Sequence, residues 1–183
     1  MLVLSSFVLS AQAFANDDGY VILPGDVLQV SVWKEVDMDR EIVILPDGSF
    51  NFPLIGTLNA KNKTPTELQN IILDQLRYFI PEAAVTVVVK APLGHKASVM
   101  GEVQAPGDVL LSSNTTVTQA LSQVGGFTPY ADEDDIIIVR KHEDGTKEKI
   151  EFSFDDLSKG RNLENDIDLV PADIIIVPAS GLF

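Results

Sequence analysis

The sequence predicts an α+β protein of two small domains, each a mostly antiparallel or mixed sheet packed by one helix. Three observations carry this expectation. Alternating or β-branched apolar runs recur between Pro, Gly and Asp breaks, as strands do. Only two capped amphipathic helices interrupt them, one after Thr64 and one after Thr115 or Thr116. A Pro-Gly-Asp turn feeding a strand occurs on both sides of the Pro- and Gly-bearing residues 90–96. The expected division is a signal segment at 1–15, a first unit at 19–92, a second unit at 93–178 and a tail at 179–183.

Residues 42–58, IVILPDGSFNFPLIGTL, organise the first unit. An apolar run meets the turn signal Pro46-Asp47-Gly48, returns through Phe50 and Phe52, and ends at a second break, Pro53 and Gly56. That pattern predicts a hairpin turning at 46–48. Upstream, Pro24-Gly25-Asp26 suits a tight turn, with the glycine supplying positive φ. It leads into a half-buried strand in which Leu28, Val30 and Val32 alternate with Gln29 and Ser31. Residues 34–41 read as a loop. Downstream, Thr64-Pro65-Thr66-Glu67 forms a capping box with proline in the first turn. Leu68, Ile71, Ile72, Leu76 and Phe79 then recur at helical spacing until Pro81. Val85-Thr86-Val87-Val88-Val89 is a strong strand.

In the second unit, Ala97 to Met100 and Val109 to Leu111 read as strands around Pro106-Gly107-Asp108. A short helix presents Val117, Ala120, Leu121 and Val124 and ends at Gly125-Gly126, where a left-handed cap is permitted. Ile136 to Arg140 is apolar on both faces, which predicts a central strand. Asp144-Gly145 is a hairpin turn, with Ile150, Phe152 and Phe154 alternating on the return. Ile174 to Val177 closes the unit after Pro171-Ala172-Asp173. The three Pro-(Gly/Ala)-Asp turns have a local reading: Asp26, Asp108 and Asp173 can each accept from backbone N–H groups where a strand begins.

Composition excludes several classes of function. With 183 residues, 45% of them hydrophobic, the chain suits a globular protein. A net charge of -14 opposes nucleic-acid and anionic-membrane binding, and about half of the carboxylates fall in residues 132–173. There is no cysteine, which removes disulfides, thiolate metal sites and a cysteine-borne lipid anchor. His95 and His142 lack a second ligand at metal-site spacing and are expected at the surface. MLVLSSFVLSAQAFA reads as the apolar region and cleavage site of an export signal. Because Lys34 is the first basic residue, the expectation is a start upstream of Met1 or a trimmed segment. No other stretch is long and apolar enough to span a bilayer.

No catalytic, cofactor-binding or metal-binding residue can be named. Asp132-Glu133-Asp134-Asp135 lacks the alternate ligands, glycine and glutamate of a calcium loop and reads as a solvated acidic loop. No G-x-S-x-G elbow accompanies either histidine, and no cluster of aromatics accompanies a carboxylate pair. An enzyme is therefore not expected, and ligand-binding residues stay unassigned.

The order of these motifs resembles the polysaccharide export protein family. Tyr20 to Trp33 is similar to the family's opening strand. Pro46-Asp47-Gly48 through Pro53-Leu54-Ile55-Gly56 is similar to its P-D-G and P-L-I-G run, and Thr64 to Leu76 to the helix that follows. Gly101-Glu102-Val103, Pro106-Gly107 and Gly125-Gly126 resemble the soluble-ligand-binding β-grasp (SLBB) domain. The resemblance implies a non-enzymatic part of an exopolysaccharide or capsule export machine. Such a protein would be a homo-oligomeric ring in the periplasm, associated with the outer membrane and passing polymer. It would work with an inner-membrane co-polymerase and a separate outer-membrane component. It also implies a short member of the family or a truncated longer one, without the C-terminal amphipathic helix of longer relatives. A monomeric periplasmic module that binds saccharide or protein is the alternative. Phe50, Phe52, Leu54 and Ile55 are expected to divide between core and subunit contact.

Overall fold

The computed structural model describes residues 19–142 and 144–181, so the expected signal segment lies outside the described residues. In chain order the first unit contains β1 (Val27–Val32), β2 (Arg40–Val43), β3 (Ser49–Phe52), β4 (Gly56–Asn59), α1 (Pro65–Leu76) and β5 (Val85–Ala91). β1 lies between β2 and β5 and runs antiparallel to both, while β3 and β4 form a separate two-stranded ladder. The alternation in β1 is as expected: Leu28, Val30 and Val32 are buried. They pack with Leu68, Ile72 and Leu76 of α1 and with Phe50 and Phe52 of β3 in one core. Burial of each such side chain contributes about 1.5–3 kcal/mol.

The expected capping box forms, the Glu67 N–H donating to Thr64 Oγ1 at 3.2 Å and the Thr64 N–H to Glu67 Oε2 at 2.8 Å. The helix stops at Leu76, however, short of Pro81. Phe79 thus lies beyond the helix and is exposed, rather than on its buried face.

The hairpin of residues 42–58 also differs from expectation. Its turn at 46–48 closes, with Leu45 N–H donating to Ser49 O at 3.0 Å and Gly48 N–H to Leu45 O at 2.8 Å. The arms then part, β2 pairing with β1 and β3 with β4. The ladder turns instead at the second break, where Phe52 faces Gly56. A turn signal fixes local dihedrals but not the partner of the strands it joins.

The second unit contains β6 (Lys96–Gly101), β7 (Gly107–Leu110), α2 (Val117–Gln123), β8 (Ile136–Lys141), β9 (Lys147–Phe152), α3 (Phe154–Ser158) and β10 (Ile174–Val177). Its sheet order is β7-β6-β10-β8-β9, with β10 parallel to β6 and every other pair antiparallel. Insertion of the last strand beside the first, with α2 against the sheet, is the β-grasp arrangement. β10 holds the centre, and β8, apolar on both faces, is internal but second from the edge. Thr116, not Thr115, caps α2. Phe154 is not on the return strand: Ser153 accepts from the Asp156 N–H at 3.1 Å and caps α3 there.

Candidate functional site

The parting of β2 from β3 leaves a wedge of about 540 Å³, lined among others by Arg40, Glu41, Val43, Leu45, Asn51 and Pro53. Its closed end is pinned by Asp47, whose Oδ1 accepts from the Ser49 N–H at 2.9 Å and the Ser49 hydroxyl at 2.7 Å. These bonds hold the Asp47 carboxyl below its ordinary range. Val43 and Leu45 are exposed on the wall.

At the β3–β4 turn, Leu54 has φ 66°, and the Ile55 N–H donates to Pro53 O at 2.8 Å across it. That is a strained γ-turn centred on a bulky apolar residue, a state that persists only where its surroundings impose it. Of the four residues expected to divide between core and contact, Phe50 and Phe52 are buried and Leu54 is 52% exposed. Leu54 and Ile55 share a groove of about 550 Å³ with Gln75, Tyr78 and Phe79, where Tyr78 is 91% exposed. Trp33, 72% exposed, follows β1, and its N–H donates to Ala84 O at 2.8 Å. Trp33 therefore stands where β1 ends and β5 begins. The link to the second unit lies at the other end of these strands.

That link is held by Asp26, which is fully buried. Its carboxylate accepts from the Tyr20 hydroxyl at 2.5 Å, the Leu23 N–H at 2.8 Å and the Gly94 N–H at 2.8 Å. A Cβ on Gly94 would lie 2.6 Å from Pro24 O, so only glycine admits this approach. Tyr20 is raised above its ordinary 10.0 by burial first, then by its bond to Asp26 and the charge there. His95 is not a surface residue as expected. Its side chain is 17% exposed. Its ring lies 4.6 Å from that of Tyr20, and its Nε2–H donates to Val21 O at 2.9 Å. His142 is exposed, 3.0 Å from Glu148.

Asp173 is the counterpart in the second unit. It accepts from the Val170 N–H at 2.9 Å and pairs with Arg140, whose NH2 group donates to Oδ2 at 2.7 Å. The bond to Asp173 is the main reason the guanidinium is raised above its ordinary value. Asp108 behaves differently: exposed on β7, it accepts from Ser98 Oγ at 2.7 Å and pairs with Lys96 at 2.5 Å. Of the three turn carboxylates expected to accept from strand-entry N–H groups, Asp26 and Asp173 do so and Asp108 bonds side chains instead; the spacing gave no sign of the distant partners.

On the outer face of the second sheet a groove of about 610 Å³ has Ile137 and Ile176 as its floor and Asp134, Asp135 and Glu151 at its rim. Asp134 accepts from Ser153 Oγ at 2.9 Å, and Asp132 from the Asp134 N–H at 3.2 Å. Among the described residues no group of three or more His, Cys, Asp or Glu is placed to hold a metal ion, and no helix is long and apolar enough to cross a membrane.

The fold and its surfaces define a two-unit α+β protein whose buried carboxylates brace turns. Residues 15–90 match the family model for polysaccharide biosynthesis/export protein, and residues 96–151 match the SLBB domain. The two matches, in that order, give the chain the domain organisation of the polysaccharide export protein family. It is 27% identical over 142 residues to the exopolysaccharide production protein ExoF of Rhizobium meliloti (strain 1021), covering 69% of this chain and 33% of ExoF. The chain therefore spans about a third of the length of that relative.

Proposed function

We propose that the protein is a non-enzymatic component of an exopolysaccharide or capsule export machine, and that copies of it form a periplasmic ring or conduit passing polymer towards the outer membrane. The observation that carries this reading is the export-family match over the first unit, followed in order by the SLBB match over the second. The physical chemistry supports it. A hydrated polymer in transit requires no tight site, and the net charge of -14 opposes adhesion of an anionic polymer wherever the acids face the passage. The homo-oligomer would work with an inner-membrane co-polymerase and a separate outer-membrane component. Deletion of the gene, with polymer assayed inside and outside the cell, tests the role: export falls and polymer accumulates within. Unchanged export refutes it.

The groove over Ile137 and Ile176 favours a second reading, a monomeric periplasmic module that binds saccharide or protein. Mass in solution together with oligosaccharide titration separates the two. A stable monomer with micromolar affinity supports the module and counts against the ring.

A further inference from the structure

The chain protects its sheet edges unequally. β9, reading KEKIEF, alternates charges along one edge of the second sheet, and β7, at the other, has four residues. β2 is also four residues long. β5 is seven residues long, VTVVVKA, with no proline or glycine and Lys90 as its single charge. Natural proteins blunt such edges with charge, proline or brevity, because unpaired N–H and C=O groups recruit a further strand. The Trp33 N–H donates to Ala84 O, so Ala84, Thr86 and Val88 turn their backbone groups towards β1. Val85, Val87 and Val89 turn theirs outwards, where no backbone partner is present among the described residues.

The opposite edge of the same sheet is the wall of the wedge. β3 would cover β2 in an ordinary hairpin, but its departure leaves the outward edge of β2 open, with Glu41 and Val43 exposed beside it. One side of the molecule thus offers an unguarded strand and the other an open slot alongside a strand.

We propose that the β5 edge pairs with the β2 edge of a second copy, so that the three-stranded sheets of successive copies join into one. This rests on the ring reading and names the surface that would build the ring. Both strands run antiparallel to β1, hence parallel to each other. Repetition about an axis along the strands therefore sets β5 parallel to β2 of the next copy. A register that places Val88 and Lys90 beside Glu41 and Val43 of the next copy brings the exposed valines together and opposite charges within diagonal reach. In the single copy, Lys90 already holds Glu41 at 3.2 Å, an exposed pair free to exchange partners. The contact is heterologous, and such contacts close into rings when the rotation allows. Pairing of β5 with itself would instead stop at a dimer and leave the wedge open.

Cysteine cross-linking tests this directly, since the chain has no cysteine of its own. Glu41 and Val88 both lie opposite Gln29, on either side of β1, separated by about 10 Å. That lies beyond the roughly 7 Å limit of a disulfide, so the pair E41C and V88C, side by side across the proposed contact, can bridge only between copies. Oxidation of the full-length double variant is expected to give a ladder of multimers beyond the dimer on a non-reducing gel. Val88→Glu, which sets a carboxylate beside Glu41 of the next copy, is expected to sediment as a monomer with unchanged circular dichroism, and added Glu41→Lys to restore assembly. If the wild type assembles but the double variant does not cross-link and Val88→Glu still assembles, the edge pairing is wrong and the ring reading stands. Dimers from V88C alone, with no larger species from the pair, also overturn it in favour of self-pairing. A wild-type chain that stays monomeric at every concentration overturns both.

Discussion

Asp26 and Asp173 are both buried, and each follows a turn whose preceding residue has positive φ, Gly25 at 95° and Ala172 at 71°. Each accepts from the N–H three residues back. Their distant partners then diverge. Asp26 accepts from a hydroxyl and two backbone N–H groups, with His95 Nε2 3.7 Å away, and fastens Gly94, in the segment between the units, to the first unit. Asp173 meets a guanidinium and ties β10 to β8 within its own sheet. The same local device thus serves two purposes: one carboxylate positions the link, the other braces a sheet.

The contrast can be broken most severely at Asp173. Asp173→Ala leaves the Arg140 guanidinium partly buried without its carboxylate, and loss of such a partner costs about 3–5 kcal/mol. Urea unfolding followed by circular dichroism would measure it. Asp26→Asn keeps one acceptor oxygen where three donors converge, so the cost is smaller, about 1–3 kcal/mol. Faster hydrogen exchange at the Gly94 amide would show that the link, rather than a sheet, has loosened.

Tyr20 sharpens the comparison through pH. Its raised value means that the fold favours the protonated hydroxyl. Its contribution is complete below pH 10.0 and is lost as pH rises towards the folded value. Wild type should therefore lose stability above that pH more steeply than Tyr20→Phe, which is about 1 kcal/mol weaker at neutral pH. Equal alkaline limbs in thermal melts would remove Tyr20 from the Asp26 cluster.

The smallest effects concern the turns themselves. Ala172→Gly should stabilise by about 0.5–1 kcal/mol, because alanine is strained at positive φ, and Gly25→Ala should destabilise by at least as much. A Cβ at Gly25 would meet nothing closer than 3.6 Å, so the difference isolates backbone conformation from packing. Melting temperatures of the two variants should move in opposite directions.

These turns also show what could be read from the chain. The capping box at Thr64–Glu67 and the alternation in β1 depend on residues within a few positions, and spacing reveals them. The bonds from Asp26 to Gly94 and from Asp173 to Arg140 cross 68 and 33 residues and leave no local trace. For the same reason the turn at 46–48 was legible but the parting of its arms was not, since β2 is claimed by β1 and β3 by β4. The wedge follows from that competition. His95 looked like a surface residue because nothing near it in sequence announces Tyr20 as its neighbour.

We propose above that copies of this chain assemble with one another into a passage. The most direct measurement is the mass of the full chain in solution, by sedimentation or native mass spectrometry across a range of concentrations. A closed assembly of several copies with no open-ended growth is expected. A monomer throughout, with or without polymer present, would contradict it.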